Sequence, residues 1–250
     1  RILIPLGMKS TSFKPRADQR ENLFQGHGFD GKPLPDVPTP TMIQGSGGLY
    51  STANDILRWM AWHLDRASAK GAEVRLLDHA AYVQRDGLKT VYGLDESGHM
   101  DAMGLGWIVM MPEGNRPLIL QKAGGLQGVF SYVAFAPTRG IAVFITISGP
   151  PTTSTESPEM NPTLARVIAL PLTALSLLSV TGIASSARAA DKMLQEAVDF
   201  NGAIMFLKFK VPGLVIGAVR NGEVAVAGFG RISDTSKAAP NADTVMRIGS

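Results

Sequence analysis

The feature that most constrains this chain lies in its middle. Residues 160–192, "MNPTLARVIALPLTALSLLSVTGIASSARAADK", open with Met160, carry Arg166, run from Val167 to Ala184 without a charge, and reach a small-x-small site at Ala187-Arg188-Ala189-Ala190. That order is the order of an export signal, a device that belongs at a chain's first residue. At 18 residues the run reaches the lower limit for a membrane span, but Pro171, Gly182 and several Ser and Thr interrupt it. A cleavable signal is the favoured reading and a permanent span the second. A buried core helix is third, because no polar stripe marks a face. In front of the run lies "SGPPTTSTESPE", a polar, Pro/Ser/Thr-rich stretch with no means of building a core. The expected division is therefore residues 1–150, a linker with the signal-like segment at 151–190, and residues 191–250.

In the first part, "FDGKPLPDVPTPTM" carries Pro33, Pro35, Pro38 and Pro40 and reads as a long surface loop. It is followed by "GSGGLYSTANDILRWMAWHL". Thr52 and Asp55 there make a capping-box-like start, and Ile56, Leu57, Met60, Ala61 and Leu64 recur at helical spacing, which predicts a helix over 51–64. A weaker helix is expected over 71–86, ending at Asp86-Gly87. From Leu105 the period shortens. "LGWIVMM", "RPLILQK", "GVFSYVAFA" and "GIAVFITIS", punctuated by Pro and Gly, read as antiparallel strands. In the last part, a short amphipathic helix over 191–200 precedes "PGLVIGAVRNGEVAVAGFG", two apolar runs around Asn221-Gly222, a pair whose residues both accept positive φ and so predict a hairpin.

Composition excludes several function classes. The net charge of +3 comes from scattered Lys and Arg, not from the basic blocks of nucleic-acid binders. With no cysteine there is no disulfide, thiol nucleophile or zinc–cysteine site. His27, His63, His79 and His99 lack metal-ligand spacing and read as surface or satisfied core residues, so neither metal nor cofactor is expected. Gly47-Gly48 follows no strand and lacks the P-loop lysine, which leaves a tight turn.

Four stretches, "PLGMKSTSF" (5–13), "GSGGLYSTANDILRWM" (45–60), the strand-rich 104–145, and 212–250 from "PGLVIGAVRNGEVAVAGFGRIS" to "VMRIGS", together resemble the serine β-lactamase and penicillin-binding-protein superfamily. Within it they resemble the class C β-lactamase-like D-alanyl-D-alanine carboxypeptidase/endopeptidases of the AmpH type. The order is permuted: residues 160–250 resemble the family's beginning and residues 1 to about 150 its end. The resemblance implies an α/β (α+β) fold with a five-stranded antiparallel sheet. The 212–219 and 223–229 hairpin would lie beside the 140–148 strand, helices 51–64 and 191–200 would flank the sheet, and the family's central helical region would be missing. Two gene pieces in series, with Met160 a second start, account for this order.

By the same resemblance Ser250 is the nucleophile that forms an acyl-enzyme with a D-Ala-D-Ala peptide of peptidoglycan or with a β-lactam. A serine hydroxyl needs a nearby base, and the lysine of the S-x-x-K motif and the Y-x-N tyrosine find no counterpart here. Lys122 matches the lysine of K-T-G, which would hold a substrate carboxylate and assist proton movement. Ala123 stands in place of the usual threonine. Gly124 and Gly125 would let the strand edge approach substrate, and the Gly125 and Ser250 amides would form an oxyanion hole, each donor worth about 3–4 kcal/mol in such sites. Tyr50 is expected to support the site, not to act as its base. Loss of the activating residues costs about a millionfold in turnover, so little hydrolysis is expected from this chain alone. The rival readings are a carboxylesterase on the same scaffold and a non-catalytic fragment, membrane-anchored or ligand-binding. The signal-like run implies a periplasmic or membrane-associated protein, with inner-membrane association through residues 167–184 if the run is retained.

Overall fold

A computed structural model describes residues 2–89, 91, 99–150 and 187–249, with backbone only for 187–191. The signal-like run up to residue 186, and Ser250, lie outside the described residues. The elements are β1 (Leu49–Ser51), α1 (Ala53–Leu64), α2 (Ala72–Asp78), β2 (Val83–Gln84), β3 (Ala102–Met103), β4 (Ile108–Met110), β5 (Ile119–Leu126), β6 (Val129–Ala136), β7 (Ile141–Ser148), α3 (Ala187–Phe209), β8 (Gly213–Arg220), β9 (Glu223–Gly230) and β10 (Met246–Ile248).

Strands β2 to β9 form one antiparallel sheet in sequence order. Five of them, β5 to β9, are eight residues long and form the body of the sheet. The short β2, β3 and β4 extend it beyond β5. The parts before and after the signal-like run meet inside this sheet: β7 pairs β8 along its whole length, from Ile141 opposite Arg220 to Ser148 opposite Gly213. The hairpin turns at Asn221 and Gly222, both left-handed at φ 52° and 85°.

Strand β7 is apolar at nearly every position because both its faces are covered. Ile141, Val143, Ile145 and Ile147 pack with Leu194, Val198, Met205 and Phe209 of α3. Ala142 and Phe144 point the other way, toward Ala53, Ile56, Leu57 and Met60 of α1. The two helices therefore sandwich the sheet, as the amphipathic patterns require.

Two helix ends fall far from the sequence expectation. Helix α3 does not stop at residue 200 but continues to Phe209. Gly202, a poor helix former, is tolerated because its bare Cα lets α3 lie on the sheet: a Cβ there would sit 2.4 Å from the Phe229 ring and 2.8 Å from Ile216. Conversely, α2 ends at Asp78 instead of reaching residue 86. Its apolar residues Val74, Leu76 and Leu77 are exposed, so no buried stripe sustains a longer helix. The chain beyond is captured as an edge strand, with the Tyr82 amide donating to Met103 O at 2.9 Å and that of Arg85 to Asp101 O at 3.0 Å. Among the described residues, no helix is long and apolar enough to cross a membrane.

Candidate active site

The site is positioned by β5 and by the chain's last strand. Strand β10 pairs with β1, Leu49 opposite Ile248 and Ser51 opposite Met246, and this small ladder lies against β5 and β6. Helix α1 follows β1 directly. Thr52 caps it, accepting the Asp55 amide at 3.3 Å. The Asp55 carboxylate does not close a capping box. It turns to the Ser10 amide at 2.7 Å and the Thr11 hydroxyl at 2.9 Å, which ties the "KSTS" stretch to the start of α1.

Lys122, Ala123 and Gly124 line a cleft of about 300 Å³ together with Trp59, Trp107, Ile248 and Gly249. Lys122 sits on the α1 face of β5, opposite Val133, and its ammonium turns back to donate to the Ala123 carbonyl. Burial pushes it below the ordinary value of 10.5, because the charged form loses water. Gly125 faces Phe130 across the ladder, and a Cβ on it would come 2.6 Å from that ring. Gly249 is buried against Gly125: a Cβ on it would lie 2.7 Å from the Gly125 carbonyl carbon. Lys122 to Gly125 and the residue preceding Ser250 thus come together, although far apart in sequence. Ser250 itself lies outside the described residues.

Tyr50 is committed elsewhere. Its hydroxyl donates to Asp36 at 2.7 Å, and the buried Arg247 guanidinium stacks on its ring at 4.6 Å while donating to Asp36 at 2.9 Å. This cluster fastens the proline-rich loop to β1 and β10. His27 bridges Ser148 (2.7 Å, Nδ1) and Asp234 (3.2 Å, Nε2), the residue types of a catalytic triad. Ser148 is 1% exposed, and its hydroxyl donates to the Gln25 carbonyl, so no nucleophile is presented. The bridge is a clasp between β7 and the 231–236 segment.

Sequence reasoning missed Trp107 and Asp78 as cleft residues. The Trp107 indole donates to Asp78 at 2.8 Å. Only the tertiary fold, which stacks Trp107 on Trp59 at 5.6 Å, brings them to β5.

The chain is similar to known proteins over most of its first part. The D-alanyl-D-alanine-carboxypeptidase/endopeptidase AmpH of Escherichia coli K12 is 36% identical over 152 residues, 61% of this chain and 38% of that protein. The chain thus spans less than half the length of the curated relatives it matches. A beta-lactamase/D-alanine carboxypeptidase from Yersinia pestis complexed with citrate superposes with a TM-score of 0.50 at 32% identity, over 68% of this chain and 46% of that one. A class C beta-lactamase does so at 0.51 with 20% identity, over 72% and 50%, a likeness of fold alone. Residues 1–166 match the Beta-lactamase family. A match over that much of the chain, on a shared antiparallel sheet, makes this protein a member of the Beta-lactamase family.

Proposed function

We propose that the cleft between β5 and β10 is an acyl-transfer site for D-Ala-D-Ala peptides of peptidoglycan or for β-lactams, with Ser250 as the nucleophile. Attack by the Ser250 hydroxyl on the substrate carbonyl forms the acyl-serine and expels D-alanine, or opens the lactam ring with its nitrogen retained. The Gly125 and Ser250 amides stabilise the oxyanion. Lys122 holds the substrate carboxylate and handles the proton, while Ala123 and Gly124 present the strand edge. The observation that supports this reading is that Gly249, the residue before Ser250, packs against Gly125 and lines the cleft together with Lys122.

Lys122 is the one basic side chain among the described residues lining the cleft, so acylation by residues 1–250 alone is slow and turnover slower still. The signal order of residues 160–190 supports export, to the periplasm or to the membrane surface. A D-Ala-D-Ala peptide, a chromogenic cephalosporin and a short acyl ester, offered in parallel to the protein and to Ser250→Ala, test the reading. D-alanine release or lactam opening that depends on Ser250 is expected. Cleavage of the ester alone would replace it with a carboxylesterase, and no Ser250-dependent reaction with any of the three would leave a binding fragment.

A further inference from the structure

His63, Asp78 and His79 come from two helices and meet beside the cleft, each offering one donor atom, all within 4.8 Å of one another. His63 Nδ1 lies 2.9 Å from His79 Nε2 and 3.6 Å from Asp78 Oδ2. Ligands held at about 2.0–2.1 Å around a tetrahedral ion stand roughly 3.3 Å apart, a spacing these two distances bracket. From these distances we propose that His63 Nδ1, His79 Nε2 and the Asp78 carboxylate form a site for one divalent cation of the zinc class.

The surroundings favour a cation. His63 lies in the last turn of α1, Asp78 ends α2 and His79 is its C-cap, so the carbonyl ends of two helices converge on the site. The Trp107 indole orients Asp78, the kind of outer partner that fixes metal ligands. Trp59, Trp107 and Phe135 pack on the His63 ring at 4.7–5.5 Å and keep it buried at 3% exposure. Two imidazoles and one carboxylate suit zinc or cobalt better than magnesium or calcium, which take oxygen ligands. Asp78 and Trp107 also line the cleft, so the carboxylate of the trio faces an open path.

Coordination needs no net proton release. One ring now shares its N–H with the other, and on binding it moves that proton to its second nitrogen. The opposing group is Arg75, whose charge reaches both rings. Its guanidinium is held on the Ser68 and Lys70 carbonyls at 2.7 and 3.1 Å and over Trp62. The sequence concealed the trio because the two histidines stand 16 positions apart and on different helices.

Cobalt(II) titration of the full chain tests the proposal without reference to Ser250. One equivalent should give strong tetrahedral d–d absorption, quench tryptophan fluorescence, and be displaced by zinc. His79→Gln, at a half-buried position, should keep the far-UV circular dichroism and bind at least about 100-fold more weakly, the upper end of what loss of an outer-shell partner costs. Asp78→Asn serves if that variant does not fold. Absence of the tetrahedral band, or an unchanged affinity in a folded variant, would overturn the proposal.

Discussion

Gly249 and Gly125 touch backbone to backbone: a Cβ on Gly249 would lie 2.7 Å from the Gly125 carbonyl carbon and 2.9 Å from its oxygen. Neither atom belongs to a flexible side chain, so the contact cannot relax by a rotamer change. Gly249→Ala should push β10 away from β5, with a loss of about 1–3 kcal/mol, the usual cost of overpacking. Urea denaturation would read this, and a variant as stable as the parent would show that the two strands do not meet.

Helix α3 makes a second steric prediction. Alanine in place of glycine within a helix ordinarily stabilises by about 1 kcal/mol. At Gly202 the Cβ would enter the Phe229 ring at 2.4 Å, so Gly202→Ala should lower the melting temperature instead. Phe229→Leu should lessen that loss. A stabilised single variant would mean that α3 does not lie on β8 and β9.

The buried histidine predicts a pH dependence. His63 is pushed from 6.5 down to about 3, first by burial and then by the charges of His79 and Arg75. Between those two values the unfolded chain binds a proton there that the folded chain refuses. Stability is therefore fully present above pH 6.5 and is lost as pH falls toward 3, by a few kcal/mol in all. His79, lowered chiefly by burial with Asp78 opposing, adds to the same trend. Urea unfolding at pH 7 and pH 4 should show the loss in the parent and less of it in His63→Phe; equal losses would contradict the assignment.

Much of the sheet was legible in the sequence because its signals are local. The apolar runs within residues 128–148 and the Asn221-Gly222 turn each fix a strand or a hairpin within a few residues, and β6 to β9 follow them. The packing of α1 on the sheet was readable from Ile56, Leu57 and Met60. Helix lengths were not, because they depend on neighbours: the bare Gly202 makes room for the Phe229 ring, whereas Val74, Leu76 and Leu77 stay exposed among the described residues. At the cleft, Lys122 to Gly125 were singled out only through resemblance. The backbone contact with Gly249, the Trp107–Asp78 hydrogen bond and the histidine pair are long-range facts that no spacing rule encodes.

Lys122 gives a pH prediction of its own. Burial holds it below its ordinary 10.5, because the charged form loses water. If it accepts the Ser250 proton, the acylation rate should rise with pH toward a midpoint under 10.5, and Lys122→Met should flatten the profile. A profile unchanged in that variant would remove Lys122 from proton transfer.

The most direct test of the two-ended site is prolonged incubation with excess fluorescent penicillin, followed by mass mapping of the labelled peptide. A single adduct on Ser250 is predicted, absent from Ser250→Ala and slower to form in Lys122→Met. Folded protein that takes no label, or takes it on any other residue, would contradict the account.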